Sequence, residues 1–538
     1  MPFWRRISLD AKLSTALNNH PISVHASHFC LLDFYLLHTT IMIIHSETSH
    51  LKRVWHRFKR FLKPRRPDSK PTVADRPPGL APTHQSENSV SIPVPPNPGP
   101  SKSTPLEDLP AEIRRHLLSI LDYERLKCLV HTSPIYHQQY LLDRQYILCK
   151  SLENTLGSSG LITDACAIYQ SGLLNLSETN PKEKITRFLR SYQDCHSIPS
   201  SQFSFLMSLP VDEVISIGTF HRSVIKPLSQ EYAGWAQGNL TNETTTSTHN
   251  YQPLSSTEET RIVRALYRFE LYCTLFGVRC YRSNHPQWFL ELKPMDILMM
   301  FLEIYEPWEV EEIICIYIFV KKNIDQVFHE IYWDVHPDNP KLEGHEGDSP
   351  PTRTFDFDRE CQFERLSISL FFLTSFDYLS TKLTFYPMIG SRDNYLEGTV
   401  SLGLGLLSDV LFKSNDHADL VSTMEKQIAL PRSFTFPDIL RALPQSRRQE
   451  ECPSDRDLKQ NQRTPLPFQG DAEDLPPLAW ILIWRGTYSS IFGWCISDIL
   501  RFWGYIMWDA ALLEYTGAKE LLAQQWERRW GDMDPRDD

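Results

Sequence analysis

The chain has 538 residues, 41% hydrophobic and 22% charged, with 55 basic against 66 acidic side chains and a formal net charge of -11. That apolar share supports packed cores over most of the length and excludes global disorder, a collagen-like chain and a fully membrane-embedded one. The acidic balance argues against an extended nucleic-acid face, which needs Lys and Arg clustered over a whole surface.

Residues 1–63 read as a leader. From Phe29 to Ile44 runs an apolar stretch of sixteen residues interrupted by Asp33 and His38. A membrane span wants about 20 apolar residues, and a secretory signal wants a small-residue cleavage site that is not evident here. Between Leu51 and Arg66 lie Lys52, Arg53, Arg57, Lys59, Arg60, Lys63, Arg65 and Arg66, with no acid among them. Leu51, Val54, Trp55, Phe58 and Phe61 recur at helical spacing opposite that charge. The pattern suits an anionic membrane surface or a nuclear import signal, against the plainer alternative of an unstructured leader. Residues 64–105 contain twelve prolines and are expected to form a disordered linker, since they cannot bury enough apolar area to offset their ordering entropy.

Residues 106–150 hold the most informative segment. Pro110 opens a helix whose expected apolar face is Ile113, Leu117, Ile120 and Leu121. A turn at Asp122-Tyr123 leads to a second helix carrying Leu126, Leu129 and Val130. A third, after Ser133-Pro134, carries Tyr136, Tyr140, Leu141 and Ile147. So small a core should lean on a partner or on the rest of the chain.

This segment resembles the F-box, the motif by which substrate receptors dock on the Skp adaptor of cullin-RING ubiquitin ligases. Leu109 and Pro110 match its opening Leu-Pro, Glu112 its acid and Ile113 the next apolar position. Leu117, Leu118 and Leu121 fall where the family has Ile-Leu and a closing Leu, Leu126 follows the turn, and Tyr136 stands for the later aromatic residue, commonly Trp. Thr132-Ser133-Pro134 departs from the usual Val-Cys or Val-Ser pair. With its aromatic tail, the chain is similar to filamentous-fungal proteins that carry a divergent F-box. The resemblance implies that Leu109, Pro110, Glu112, Ile113, Leu117, Leu118, Leu121, Leu126 and Tyr136 bind a Skp-type adaptor and cullin ligase. It implies equally that the remainder holds a protein target, with no catalytic residue of its own.

Residues 151–531 read as a large, mainly α body, with polar inserts expected to loop out near 236–256, 334–354 and 444–477. Thr257-Glu258-Glu259 opens a run in which Ile262, Ala265, Leu266, Phe269 and Tyr272 repeat at three and four. No 20–50-residue repeat is evident. Asn239 and Asn242, in glycosylation-like triplets, read as part of a polar loop. Seven of the thirteen tryptophans fall in the last 59 residues. They are expected in the core rather than on a partner site, because the apolar stretches there are too short to span a bilayer.

The sequence carries no recognisable catalytic or metal signature. There is no phosphate-binding Gly-x4-Gly-Lys loop, no His-Glu-x-x-His helix and no Gly-x-Ser-x-Gly elbow. Gly403-Leu404-Gly405 reads as a turn or a close helix contact, and Asp356 with Asp358 as a loop edge. Cys273, Cys280 and His285 lack the fourth ligand and tight spacing that structural zinc wants. The eleven cysteines show no CxxC pair, which points to a reducing compartment, cytosol or nucleus. The rival readings are an interaction protein with a vestigial F-box, or a protein tethered to a membrane through residues 29–66. No cofactor is expected.

Overall fold

A computed structural model describes residues 106–157, 159–174, 180–197, 202–244, 253–278, 292–340, 355, 392–430, 435–441 and 453–537. The leader, the basic stretch 51–66, the linker, Cys280, His285, Asp356 and Asp358 lie outside them. Of the described residues, 73% are helical, and the only extended pairing among them is an isolated bridge between Pro465 and Thr487.

The amino-terminal helices are α1 (Ala111–Ile120), α2 (Tyr123–Thr132), α3 (Pro134–Leu142) and α4 (Arg144–Leu156). Then come α5 (Ser159–Gly172), α6 (Pro181–Ser197), α7 (Gln202–Ser208) and α8 (Val211–Phe220), which runs through one π turn (His221–Ile225) into α9 (Lys226–Thr244). The centre is α10 (Ser256–Phe276), α11 (Pro294–Met300) and α12 (Pro307–Ile331), followed by α13 (Arg392–Val400), α14 (Leu404–Phe412), α15 (His417–Gln427), α16 (Phe436–Leu440) and α17 (Asp455–Asn461). Short helices close the chain: α18 (Leu478–Ile483), α19 (Asp498–Phe502), α20 (Ala510–Thr516), α21 (Ala518–Ala523) and α22 (Gln525–Arg529).

Helix α10 is the axis, packed by α5, α9 and α12. It starts with a full capping box in which Ser255 and Glu258 satisfy each other's backbone N–H groups. From Thr260 to Phe276 every side chain except Thr274 is buried, as befits a helix surrounded on all sides. Gly403 explains one tight approach. Its φ is +86°, and a Cβ there would meet Glu270 Oε2 at 2.4 Å, the same oxygen that accepts from Leu404 N–H.

The expected Trp-rich core is present: Trp480, Trp484, Trp503 and Trp508 are among the largest fully buried side chains. Several other expectations are corrected. Residues 236–244 do not loop out; they finish α9, with Ala236 and Leu240 buried and Asn239 Nδ2 donating to Phe502 O at 2.9 Å. Within 453–477, Asp455–Asn461 is helical, with Asp457 and Gln460 buried against Ser490, while 462–475 is non-helical and exposed or half-buried, as expected. Within 334–340, Val335 and Asn339 are buried. In each case a polar side chain finds an internal partner, which composition alone does not register.

No single described helix is long and apolar enough to cross a membrane. The bent pair α13–α14 meets the test by length and composition, but Leu396, Val400, Leu404 and Leu407 are core.

Candidate functional site

The segment 106–156 forms four helices, not three, because Asp143 breaks the expected third helix into α3 and α4. Helices α1, α2 and α3 rest on α4, which in turn packs on α5, α7 and α8. The Ser133 side chain caps α3 as expected, accepting from Tyr136 N–H. The same hydroxyl donates to Glu107 Oε1 at 2.6 Å, while Tyr136 O–H donates to Leu106 O at 2.9 Å. Arg114 Nη1 donates to Leu109 O at 2.7 Å and to Glu107 O at 3.1 Å. The approach to α1 is thereby tied down by the residues that depart from the motif's commoner form, Ser133 and Tyr136.

The nine motif positions divide. Leu118, Leu126 and Tyr136 are buried core and cannot touch a partner, which corrects their inclusion in a binding set. Pro110, Glu112 and Ile113 are exposed, and Leu109, Leu117 and Leu121 are half-buried. The inward face of α1 is therefore rotated from the one expected. Leu118 and Ser119 point in, whereas Ile113 and Ile120 stay 49% and 57% exposed. Helical periodicity defines an apolar stripe but not which edge of a broad stripe meets the core.

The outward face is mounted rigidly. Asn154 Nδ2 of α4 donates to Ser119 O at 2.8 Å, and Thr155 Oγ1 accepts from Tyr123 N at 2.8 Å. Tyr123 packs on Gly218 of α8, where an added Cβ would sit 3.1 Å from the ring, and Glu124 pairs with Arg222 at 2.5 Å in the π turn. In that turn His221 is buried, its Nδ1 2.8 Å from Tyr267 O–H in a stacked arrangement.

Burial, with the Lys226 charge nearby, depresses the His221 imidazole to about 4. An unfolded imidazole titrates near 6.5, so between about 6.5 and 4 the unfolded chain binds the extra proton, and acid withdraws about 3 kcal/mol of stability. We expect His221→Phe to flatten the fall in unfolding temperature across that window. A slope equal to the parent's would show that the imidazole does not carry it.

The second constellation was missed by sequence reasoning: a buried charge network along α10. Arg261, Arg264 and Arg268, spaced three and four, share one stripe. Arg264 grips Glu312 bidentately, Nε to Oε2 at 2.9 Å and Nη2 to Oε1 at 2.6 Å, and approaches Glu309 at 3.1 Å. Arg268 reaches Glu309 at 3.0 Å and Asp164 at 3.2 Å, its guanidinium 4.3 Å from the Tyr305 ring centroid. Asp164 also accepts from Tyr192 O–H at 2.5 Å and lies 2.8 Å from His196 Nε2. Arg261 pairs with Asp509 at 2.8 Å, and Arg501 grips Glu311 through two contacts of 2.9 Å.

Burial alone would raise the Glu309 carboxyl, but Arg268 and Arg264 override it and hold it at about 2. Asp164 is likewise held down, by Arg268 and His196 against its burial. The legible signal was three arginines inside an apolar helical run, each requiring an internal anion. His196 and Tyr192 both meet the buried Asp164, and no group of three metal-ligating residues occurs among the described residues. Of the zinc-like trio, Cys273 is a core thiol facing Val400 O.

In comparisons with known proteins, no family model, no curated protein and no solved structure matches the chain.

Proposed function

We propose that the protein is a non-catalytic, substrate-recruiting adaptor of an SCF-type ubiquitin ligase, docking a Skp-type adaptor through α1–α3 and holding a protein target on the helical body. The observation that carries this reading is the division of the motif. Leu118, Leu126 and Tyr136 fix the segment inward, while Leu109, Pro110, Ile113, Leu117 and Leu121, joined by Ile120, stay accessible. An apolar row on short helices fastened to a larger body supports a docking role, and a specific contact buries about 1,200–2,000 Å² in total. The cytosol or nucleus is the compartment that goes with this role and with buried thiols such as Cys149, Cys166 and Cys315.

Co-purification with the Skp adaptor tests the reading. Leu109→Ala with Pro110→Ala should lower capture at least about tenfold, because two apolar anchors at the centre of an interface are worth more than 1.4 kcal/mol together. The unfolding temperature should barely move, since Leu109 is half-buried and Pro110 exposed. Capture that is unchanged, or absent from the parent chain, removes the proposal.

A further inference from the structure

The carboxyl ends of α12 and α14 and the start of α15 enclose a crevice of about 350 Å³. Val327, Val410 and Leu420 give it a mostly buried apolar floor. Its lining contains no Lys or Arg, and it displays the exposed carboxylates of Glu330 and Asp416. Among the described residues Glu330 meets the Gln326 amide at 3.4 Å, and Asp416 caps α15 by accepting from Asp419 N–H at 2.9 Å. His417 is already engaged, its Nε2 2.8 Å from Asp334 Oδ2. One turn beyond Glu330 and next to Asp334, Trp333 is 53% exposed, with its ring stacked on His336 at 5.4 Å and 15°.

A carboxylate with no cationic partner among the described residues attracts a guanidinium or ammonium group. An exposed indole one helical turn away can add a cation–π contact, and an apolar floor takes an aliphatic neighbour. We propose that this crevice docks a short segment of the protein target in which Arg or Lys adjoins an aliphatic side chain. The inference rests on the reading of the body as target-binding, and names the target's chemistry. The volume lies at the low end for ligand sites, enough for two side chains but not for a folded domain. A free polyamine would satisfy the carboxylates but leave the floor uncovered.

The test uses the full chain and fluorescence anisotropy with three labelled nonapeptides of Gly, Ser and Ala around a central Arg-Leu, Glu-Leu or Arg-Ser pair. The Arg-Leu peptide should bind at least about tenfold tighter than the others, and more weakly as salt is raised. Glu330→Gln and Trp333→Ala, both at accessible positions, should each weaken it about fivefold or more, with unfolding temperatures kept as the control. Equal affinity for the three peptides, or full affinity in both variants, overturns the proposal. Adaptor capture is measured on the same proteins. Peptide binding without adaptor capture would remove the ligase reading and leave the crevice standing, whereas adaptor capture without peptide selectivity would do the reverse.

Discussion

Replacing Arg264 by Leu should destabilise the body by about 3–5 kcal/mol, because Glu312, fully buried, would lose its bidentate partner and keep its charge or take up a proton at high cost. Such a loss is a large part of the 5–15 kcal/mol that separates folded from unfolded domains. The pair itself need not be strongly stabilising, since two buried ions give up much hydration to meet. The double change Arg264→Leu with Glu312→Leu should therefore recover much of what the single change loses. Urea unfolding midpoints of the parent, both single variants and the double variant close the cycle. A single Arg264→Leu protein within about 1 kcal/mol of the parent would show that water reaches Glu312, and that the network is not dry. Below pH 4 the network should weaken in any case. Glu309 titrates lower in the folded state than in the unfolded chain, so the stability it contributes is present above about 4.5 and lost as pH falls toward about 2.

Ending the chain at Pro477 should abolish cooperative folding, and not merely remove a binding arm. The deleted part carries Trp480, Trp484, Trp503 and Trp508, all with at most 1% of their surface exposed. Emptying even one such site costs about 3–5 kcal/mol, so four together exceed the stability margin of most domains. Polar losses add to this. Glu311 would lose Arg501 and the Gly493 N–H, leaving a buried carboxylate on α12 without its cation, and Arg261 would lose Asp509 and keep the longer contact to Asp471 at 3.6 Å. Thermal unfolding followed by far-UV circular dichroism reads the outcome. A truncated chain that melts at the parental temperature would show the tail to be an independent arm, and its aromatic residues would then be candidates for a partner site.

Much of the local structure was legible. The α10 apolar repeat, the helix start at Ser133 and the turn at Gly403 all stand where local chemistry puts them. These features depend on groups within one or two turns of each other, so a short window of sequence contains their causes. The docking row was half legible. The motif named its residues, yet Leu118, Leu126 and Tyr136 could not be told from Ile113 and Pro110, since all lie on helices with broad apolar faces. The inserts misled for a related reason. Asp457, Gln460 and Asn239 look like loop residues until their partners, Ser490 and the carbonyl of Phe502, come in from far along the chain.

What the sequence by itself determined is the helical class, while Arg261, Arg264 and Arg268 inside an apolar run carried a signal that the apolar periodicity did not bring out. What only the tertiary structure decided is the identity of their partners and which side of α1 faces out. Arg264 meets Glu312 across 48 positions, and Arg261 meets Asp509 across 248. A helix fixes which side chains share a stripe, but its rotation and neighbours are settled by filling one common core, where every helix competes for the same volume and every buried charge must find its counter-ion.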